Sequence, residues 1–218
     1  MHSVQLVHVT PNAEELISYM ARVSNPSNQS NTQTSPRLIR YLIKHKHWSP
    51  FEMVNMCVEI ETTRSIAAQI LRHRSFSFQE FSQRYAQVTD KPEVPEFRRQ
   101  DTINRQNSTE DLELATVLEF ELKTQSLYDL SYSLYEEMLQ AGVAKECARD
   151  VLPLSTPTRL YMNGTLRSWL HYCDLRCANG TQKEHKQIAD GVKQLIATEF
   201  PQVYAAMWSE IDSGDRRV

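Results

Sequence analysis

Apolar residues recur along the chain in two patterns, one typical of strands and the other typical of helices. Residues 3–9 and 53–62 alternate as strands do, and the second segment has one wholly apolar face. Residues 159–163 suit a strand or an irregular connection. Helical spacing marks the other periodic segments, which are 12–22, 36–43, 63–73, 109–140, 144–150, 165–177 and 181–199. The pattern predicts an α+β fold, rich in helices, with a mixed or antiparallel sheet.

Polar stretches separate these segments without dividing the chain. Residues 25–35 are rich in Ser, Asn, Thr and Gln and predict a loop. Residues 91–108 carry three arginines and two prolines, which favours an excursion from the fold or a lid. The sequence contains no internal repeat and no linker that would separate two domains. We therefore expect a single domain over residues 1–218.

The helix predicted over 63–73 has a polar face beside its apolar one. Ser65, Gln69 and Arg72 fall at i, i+4 and i+7, so their side chains lie on the same side of the helix. Such a stripe would present an amide and a guanidinium to one ligand.

The next residues form the most unusual feature of the chain, the sequence R-H-R-S-F-S-F-Q-E-F-S-Q-R-Y. It places Arg72, His73, Arg74 and Arg84 in one short segment, and Ser82 follows Arg74 after a gap of seven residues. Guanidiniums this close together repel one another unless anions, carboxylates or solvent offset the repulsion. Each guanidinium also offers a fork of donors that fits a phosphate or a carboxylate. The segment therefore indicates a site for a polyanionic ligand.

The composition and charge of the chain indicate that this ligand is a small molecule. The chain has 218 residues, of which 40% are hydrophobic, so one globular domain with a full core is expected. Its formal net charge is −3. Between Arg64 and Arg84 there are four arginines against Glu80 alone, a local charge of 4 − 1 = +3. A local basic cluster on an acidic chain favours a phosphorylated small molecule over nucleic acid.

Other features of the sequence indicate a cytoplasmic protein. No apolar run approaches the roughly 18 residues of a membrane span, and the N-terminus lacks a signal-peptide pattern. The cysteines form no paired framework, which favours a reducing compartment. A metal site formed by His45 and His47 with His171, Cys173 and Cys177 is disfavoured, because the last three follow helical spacing and no second ligand pair exists.

Further motifs accompany the arginine cluster in a fixed order along the chain. They are A-R-V-S at 21–24, H-x-S-P-F-E at 47–52, Gln69 three residues before Arg72, A-R-D-V-L-P at 148–153 and L-R at 175–176. Together with the R-H-R motif and its Ser82, this ordered series resembles the flavin-dependent thymidylate synthases. Gln79, Thr165 and the segment 177–185 differ from the residues that some members carry.

This resemblance implies a fold, an assembly and a reaction. The expected subunit is an α+β domain in a homotetramer whose active sites are shared between subunits, with one FAD each. The implied reaction methylates dUMP to dTMP, with methylenetetrahydrofolate as the carbon donor and reduced flavin, recharged by NADPH, as the hydride donor. Tetrahydrofolate leaves, and no cysteine nucleophile is used.

The resemblance also assigns single residues. Those matched to dUMP contacts are Gln69, Arg72, Glu80, Ser82, Arg84, Arg149 and Arg176. Those matched to flavin contacts are Ser49, Arg72, His73, Arg74, Glu80, Arg167 and His171. We expect Arg84, Arg149 and Ser82 to hold the dUMP phosphate, and Arg74 to hold the FAD pyrophosphate. Arg176 is the catalytic candidate, because a fixed guanidinium beside the uracil N3 edge stabilises the negative charge that makes C5 nucleophilic.

Two other functions remain open at this point. A related flavin- and folate-dependent enzyme would modify dUMP in another way, for example by hydroxymethylation. A non-catalytic nucleotide- or RNA-binding module would use the same basic cluster with its interleaved Phe76, Phe78 and Phe81. The product made from dUMP distinguishes the first alternative, and bound flavin or bound RNA distinguishes the second.

Overall fold

The computed structural model describes residues 2–209, and a four-stranded antiparallel sheet lies at its centre. Its strands are β1 (Ser3–Val9), β2 (Asn55–Thr63), β3 (Ser77–Glu80) and β6 (Pro157–Thr165), in the spatial order β1-β2-β6-β3. Between β3 and β6 in the chain, β4 (Arg99–Gln100) and β5 (Ser108–Thr109) form a separate small ladder. Across the central pair of strands, Ile60 lies opposite Leu160 and Val58 opposite Met162, so apolar side chains pair directly.

Helices cover the sheet and extend beyond it. They are α1 (Ala13–Ala21), α2 (Ser35–Lys44), α3 (Arg64–Ile70), α4 (Leu114–Gln140), α5 (Lys145–Ala148), α6 (Leu166–Arg176), α7 (Lys183–Glu199) and α8 (Pro201–Tyr204). Shorter helical turns occupy Pro26–Asn28, Ser49–Met53, Arg149–Val151 and Ala205–Ser209. None of the helices among residues 2–209 is both long and apolar enough to cross a membrane.

Two strands lead directly into helices that carry predicted site residues. β2 ends at Thr63 and α3 begins at the next residue, while β6 ends at Thr165 and α6 follows at once. The Thr165 hydroxyl accepts a hydrogen bond from the Ser168 amide at 3.3 Å, which satisfies one of the free N–H groups at the start of α6. Because the two strands are antiparallel, α3 and α6 begin at opposite ends of the sheet.

The main core fills the space between the sheet and these helices. Its largest fully buried side chains include Trp169 and Tyr172 of α6 and Phe51 of the turn Ser49–Met53. The Trp169 indole N–H donates to the Met56 carbonyl at 2.9 Å, which ties α6 to β2. A smaller cluster around Tyr135 joins α4 to the segment after β3 and to α5.

The long helix α4 differs most from a core helix. Its leucines recur at helical spacing, as expected, but only Tyr132 and Tyr135 of this helix are buried. Leu127 is 61% exposed and Leu130 67%. We call Leu127, Leu130 and Leu134, which recur at i, i+3 and i+7, the α4 leucine face; Leu114, Leu118 and Leu122 are also exposed, on another side of the helix. Large exposed apolar patches are typical of surfaces that contact another molecule.

Most predicted elements are present, with shifted ends. The strand predicted from residue 53 starts at Asn55, because the proline-containing turn Ser49–Met53 precedes it. The helix predicted over 63–73 ends at Ile70, so the R-H-R motif lies in a turn. Residues 109–140 contain one helix, and 159–163 belong to a regular strand.

Gly164 tests how tightly the sheet packs against its neighbours. A Cβ atom at this position would lie 2.4 Å from Cδ1 of Phe76, whose ring packs against Trp169. We expect Gly164→Ala to lower the free energy of unfolding by roughly 1–3 kcal/mol through overpacking. Gly191→Ala is the matched control, because its Cβ would only touch Val4 at 3.4 Å within α7. Urea unfolding should show the control as stable as the parent or more stable, and equal losses in both variants would contradict the packing argument.

Candidate active site

Arg176 and His73 lie in direct contact at the ends of two helices. Arg176 ends α6, and its Nε donates a hydrogen bond to Nε2 of His73, in the turn after α3, at 3.0 Å. A ring nitrogen that accepts this bond carries no proton. Burial, and then the nearby Arg176 and His171, lower the pKa of His73 to about 4. The imidazole is therefore neutral near neutral pH, and it fixes the guanidinium without adding a second charge.

A second histidine lies behind this pair. His185 is fully buried, and its Nε2 lies 3.2 Å from the Tyr172 hydroxyl, while its Nδ1 lies 3.3 Å from Oε1 of Gln69. Because that amide oxygen only accepts, Nδ1 carries the proton and Nε2 accepts from Tyr172. Burial, followed by Arg176 and His73, lowers the pKa of His185 to about 3. Tyr172 also packs edge-on against His73, with ring centroids 5.0 Å apart.

The sequence prediction missed His185 and Tyr172. Tyr172 occupies a core position of α6, and an apolar pattern does not show that its hydroxyl has a polar partner. His185 follows charged residues in the segment 177–185, which the family comparison had marked only as different from other members. That difference is the signal in the sequence that could have identified it.

A chain of hydrogen bonds continues from Gln69 to the polar excursion. The Gln69 amide donates to Oε1 of Gln182 at 2.7 Å, and the Gln182 amide donates to Glu184 at 2.9 Å. Arg98 of the excursion then pairs with Glu184 at 2.8 Å, with its side chain only 11% exposed. Lys183 adds ion pairs to Glu96 of the excursion and to Glu110, just after it. Charged contacts thus hold the excursion against the start of α7.

Glu80 and Ser82 line a cavity of about 1050 Å³ at the edge strand β3. The Glu80 carboxylate accepts from Nη1 of Arg64 at 2.7 Å and from the Thr158 hydroxyl at 3.0 Å. Arg64, which begins α3, was counted in the basic segment but was not predicted to contact Glu80. These two bonds fix the carboxylate at one wall of the cavity.

The other predicted phosphate ligands lie on or beside α5. Arg84 is exposed and pairs with Glu146 of α5 through its Nε at 3.1 Å. Arg149 follows α5 in the chain, and its Nε lies 3.8 Å from the Asp150 carboxylate. Both guanidiniums have carboxylate partners at the surface, where an incoming phosphate would exchange with them at little cost.

The predicted flavin ligands fall into two groups. Arg167 donates to Glu52 at 2.7 Å, and Glu52 belongs to the turn that Ser49 begins. His171 is exposed one turn along α6 from Arg167. Arg72 and Arg74, on either side of His73, form the second group. Both are exposed, and neither makes an ion pair within residues 2–209.

A single chain brings only some of the predicted residues together. Gln69, His73 and Arg176 belong to one connected network. The Glu80 cavity, the arginines near α5 and the Ser49–Arg167 contact are separate groups that no hydrogen bond or ion pair joins to this network within residues 2–209. The structure contradicts none of these assignments, but it leaves the set dispersed over one subunit.

The cysteines differ in their access to solvent. Cys57 and Cys173 are buried, and burial raises the pKa of both thiols, which makes them poor nucleophiles. Cys147 is exposed and Cys177 is half-buried. No group of three or more His, Cys, Asp or Glu side chains in the described part of the chain is arranged to hold a metal ion.

Known proteins resemble this chain over nearly its whole length. The family model Thy1, described as thymidylate synthase complementing protein, matches residues 5–202. The "Probable flavin-dependent thymidylate synthase" of Paramecium bursaria Chlorella virus 1 is 52% identical over 195 residues, which is 89% of this chain and 90% of the relative. The flavin-dependent thymidylate synthase of Synechocystis sp. is 52% identical over 194 residues, 89% of each chain.

A solved structure extends the likeness to three dimensions. The UMP/dUMP methylase PolB from Streptomyces cacaoi, bound with 5-Br dUMP, matches with a TM-score of 0.84 and 25% identity. The match covers 96% of this chain and 95% of the methylase. By its family model, its relatives and its fold, this chain belongs to the family of flavin-dependent thymidylate synthases.

Proposed function

We propose that this chain methylates dUMP to dTMP, taking the carbon from methylenetetrahydrofolate and releasing tetrahydrofolate. The observation that carries the proposal is the Arg176 guanidinium, held by a neutral histidine at the end of α6. Family membership and the likeness to a dUMP methylase support the same reaction. The enzyme would act in the cytoplasm, and the free cysteines among the described residues are consistent with that reducing compartment.

Arg176 has the role of stabilising charge on the pyrimidine. C5 of uracil becomes nucleophilic as negative charge builds at N3 and the adjacent carbonyls. A guanidinium that is already oriented stabilises this charge without reorganising during the reaction. The bond to His73 uses Nε of Arg176, so the two terminal nitrogens remain to face the ring edge. Gln69, in the same network, supplies an amide for the base.

The nucleotide's phosphate has its own ligands. Arg84 and Arg149 exchange their surface carboxylates for the phosphate, and the Ser82 hydroxyl adds a hydrogen bond. Charge-assisted bonds of this kind contribute roughly 1.5–3 kcal/mol each. Glu80, fixed by Arg64, then orients the sugar or base from the cavity wall.

The chain's donor groups fit a flavin dinucleotide. Arg72 and Arg74 are exposed and make no ion pair within residues 2–209, so both guanidiniums are available to a pyrophosphate. Arg167 and His171 of α6, with Ser49 of the turn Ser49–Met53, form a second set of polar groups. When bound, FAD that NADPH has reduced supplies the hydride that completes the methyl group.

The enzyme is a homotetramer of single-domain subunits, residues 1–218, with active sites shared between them. Two observations support this assembly. The predicted ligands are dispersed over one subunit, and the α4 leucine face exposes apolar side chains that a second subunit would bury.

Substitutions of Arg176 and of two cysteines test the reaction together. We expect Arg176→Ala to lose nearly all dTMP formation, at about 3–4 kcal/mol in the barrier, by analogy with lost oxyanion donors. The double variant Cys147→Ala/Cys177→Ala removes the accessible thiols and should keep most of its activity, because no protein thiolate is needed. Product from dUMP is measured in variants that are folded and flavin-loaded. An inactive cysteine variant with an active Arg176→Ala would overturn the proposal.

Mixing two inactive variants tests the shared site. If Arg84 and Arg176 of one site come from different subunits, co-assembled Arg84→Ala and Arg176→Ala chains should regain activity. Random assortment restores both residues at roughly a quarter of the sites. Each variant co-assembled with itself is the control. A fully active monomer in light scattering would rule out sharing.

The neutral histidines predict a dependence of stability on pH. The pKa values of His73 and His185 are about 4 and about 3 in the folded chain, against 6.5 ordinarily. Between these values the unfolded state binds more protons, so stability is lost as the pH falls below about 6.5. We expect His185→Gln to reduce the slope of unfolding free energy against pH by about 1.4 kcal/mol per unit.

Tyr172→Phe is the matched control for this measurement. It removes the same hydrogen bond from His185 but leaves the histidine buried, so the slope between pH 4 and 6.5 should stay near that of the parent. Urea unfolding at several pH values gives both slopes. A parent slope that His185→Gln does not change would show that this histidine is not held neutral.

A further inference from the structure

One surface outside this site has an unusual concentration of positive charge. Between Glu15 and Glu52 the chain contains five Lys and Arg residues and no Asp or Glu, although its formal net charge is −3. Arg22 is buried and donates to the Asn31 carbonyl and the Thr34 hydroxyl, so it has a structural role. The other four cations are exposed on α2 and the turn that follows it.

Lys46, two residues after the end of α2, has a backbone conformation that favours glycine. The Lys46 amide donates to the Ile43 carbonyl at 3.0 Å, and the His47 amide donates to the Leu42 carbonyl at 2.8 Å. This pair of bonds closes a helix through a left-handed residue, which is usually glycine. Lys46 has a φ of 57°, and the other non-glycine residue with positive φ in the described chain is Asn12, a type that adopts this conformation more readily. Backbone strain of this kind concentrates at ligand sites.

Aromatic rings lie among these cations. The Tyr41 ring centroid is 4.3 Å from that of His45 and 6.0 Å from that of His47. We call this surface the α2 basic face, which consists of Arg37, Tyr41, Lys44, His45, Lys46 and His47, all exposed. Its Arg and Lys members make no ion pair within residues 2–209. Arg37, Tyr41 and Lys44 form a row along α2 at i, i+4 and i+7, and Lys46 follows in the turn after the helix.

The row leads toward the proposed flavin end of the site. The turn Ser49–Met53 begins two residues after His47, and its Glu52 pairs with Arg167 of α6 at 2.7 Å. A ligand that extends out of the site past Ser49 would therefore meet the α2 basic face.

We propose that the α2 basic face binds the γ-linked glutamyl tail of the folate co-substrate, an inference that rests on the proposed function. In a polyglutamyl folate, an aromatic aminobenzoyl ring is followed directly by a linear run of carboxylates. The face likewise combines aromatic rings with cations, which alternate along it. Lysine ammoniums suit single carboxylates as point charges, whereas a compact pyrophosphate is better matched by forked guanidiniums.

Steady-state kinetics with monoglutamyl and pentaglutamyl methylenetetrahydrofolate tests the tail contact. We expect the parent enzyme to have a lower KM for the pentaglutamyl form. In Lys44→Ala/Lys46→Gly that advantage should shrink by roughly threefold to tenfold, the worth of two exposed ion pairs, with kcat and the monoglutamyl KM unchanged. Lys46→Arg should keep the advantage. Arg105→Ala, which removes an exposed charge from the excursion, is the control and should also keep it.

Lys46→Gly alone separates binding from folding. Its urea midpoint should equal or exceed that of the parent, because glycine fits the left-handed turn, while its preference for the pentaglutamyl form declines. A lower midpoint would contradict the strain on which the inference depends. An unchanged ratio of the two KM values in the double variant would overturn the tail contact, as would a rise in the KM for NADPH instead.

Titration of p-aminobenzoyl-pentaglutamate tests the face without turnover. The parent and Arg105→Ala should bind it with equal affinity, and Lys44→Ala/Lys46→Gly should bind it more weakly by the same roughly threefold to tenfold factor. Equal affinities in all three would overturn the inference. A failure to form dTMP from either folate would contradict the proposed function instead, and the titration would still decide the role of the face.

Discussion

The hydrogen bond from Arg176 to a neutral His73 is the constraint on which the rest of the site depends. A guanidinium beside an imidazole is stable only while the imidazole has no proton, and burial enforces that condition. The fold supplies the geometry. Because β2 and β6 are antiparallel and each leads into a helix, α3 and α6 start from opposite ends of the sheet. Their C-terminal ends then meet, with the arginine on one and the histidine just beyond the other.

The polar network extends this constraint beyond the site. His185 bridges Tyr172 and Gln69, and Gln182 and Glu184 continue the bonds to the excursion. The excursion has almost no apolar core of its own, so its position depends on ion pairs at the start of α7. The excursion is therefore held near Gln69 by electrostatic contacts that a charged ligand would alter.

Local patterns in the sequence predicted the elements well and their contacts poorly. The periodicity of α6 and α7 placed Trp169 and Val192 in the core, where both are buried. Arg176 and His73 were both predicted site residues, but their pairing joins positions 103 residues apart, which no local spacing encodes. His185 was missed because a histidine among charged residues is normally at the surface. The α4 leucines show the reverse case, because they recur at the spacing of a buried helix face but are exposed in the structure.

The most direct test of the central claim is the mass of the nucleotide formed from dUMP. The purified chain is supplied with FAD, NADPH and methylenetetrahydrofolate whose transferable carbon is isotopically labelled. The account predicts a nucleotide heavier than dUMP by one labelled methylene unit, with tetrahydrofolate as the folate product. A hydroxymethylated nucleotide, dihydrofolate as the product, or unchanged dUMP in the presence of bound flavin would contradict it.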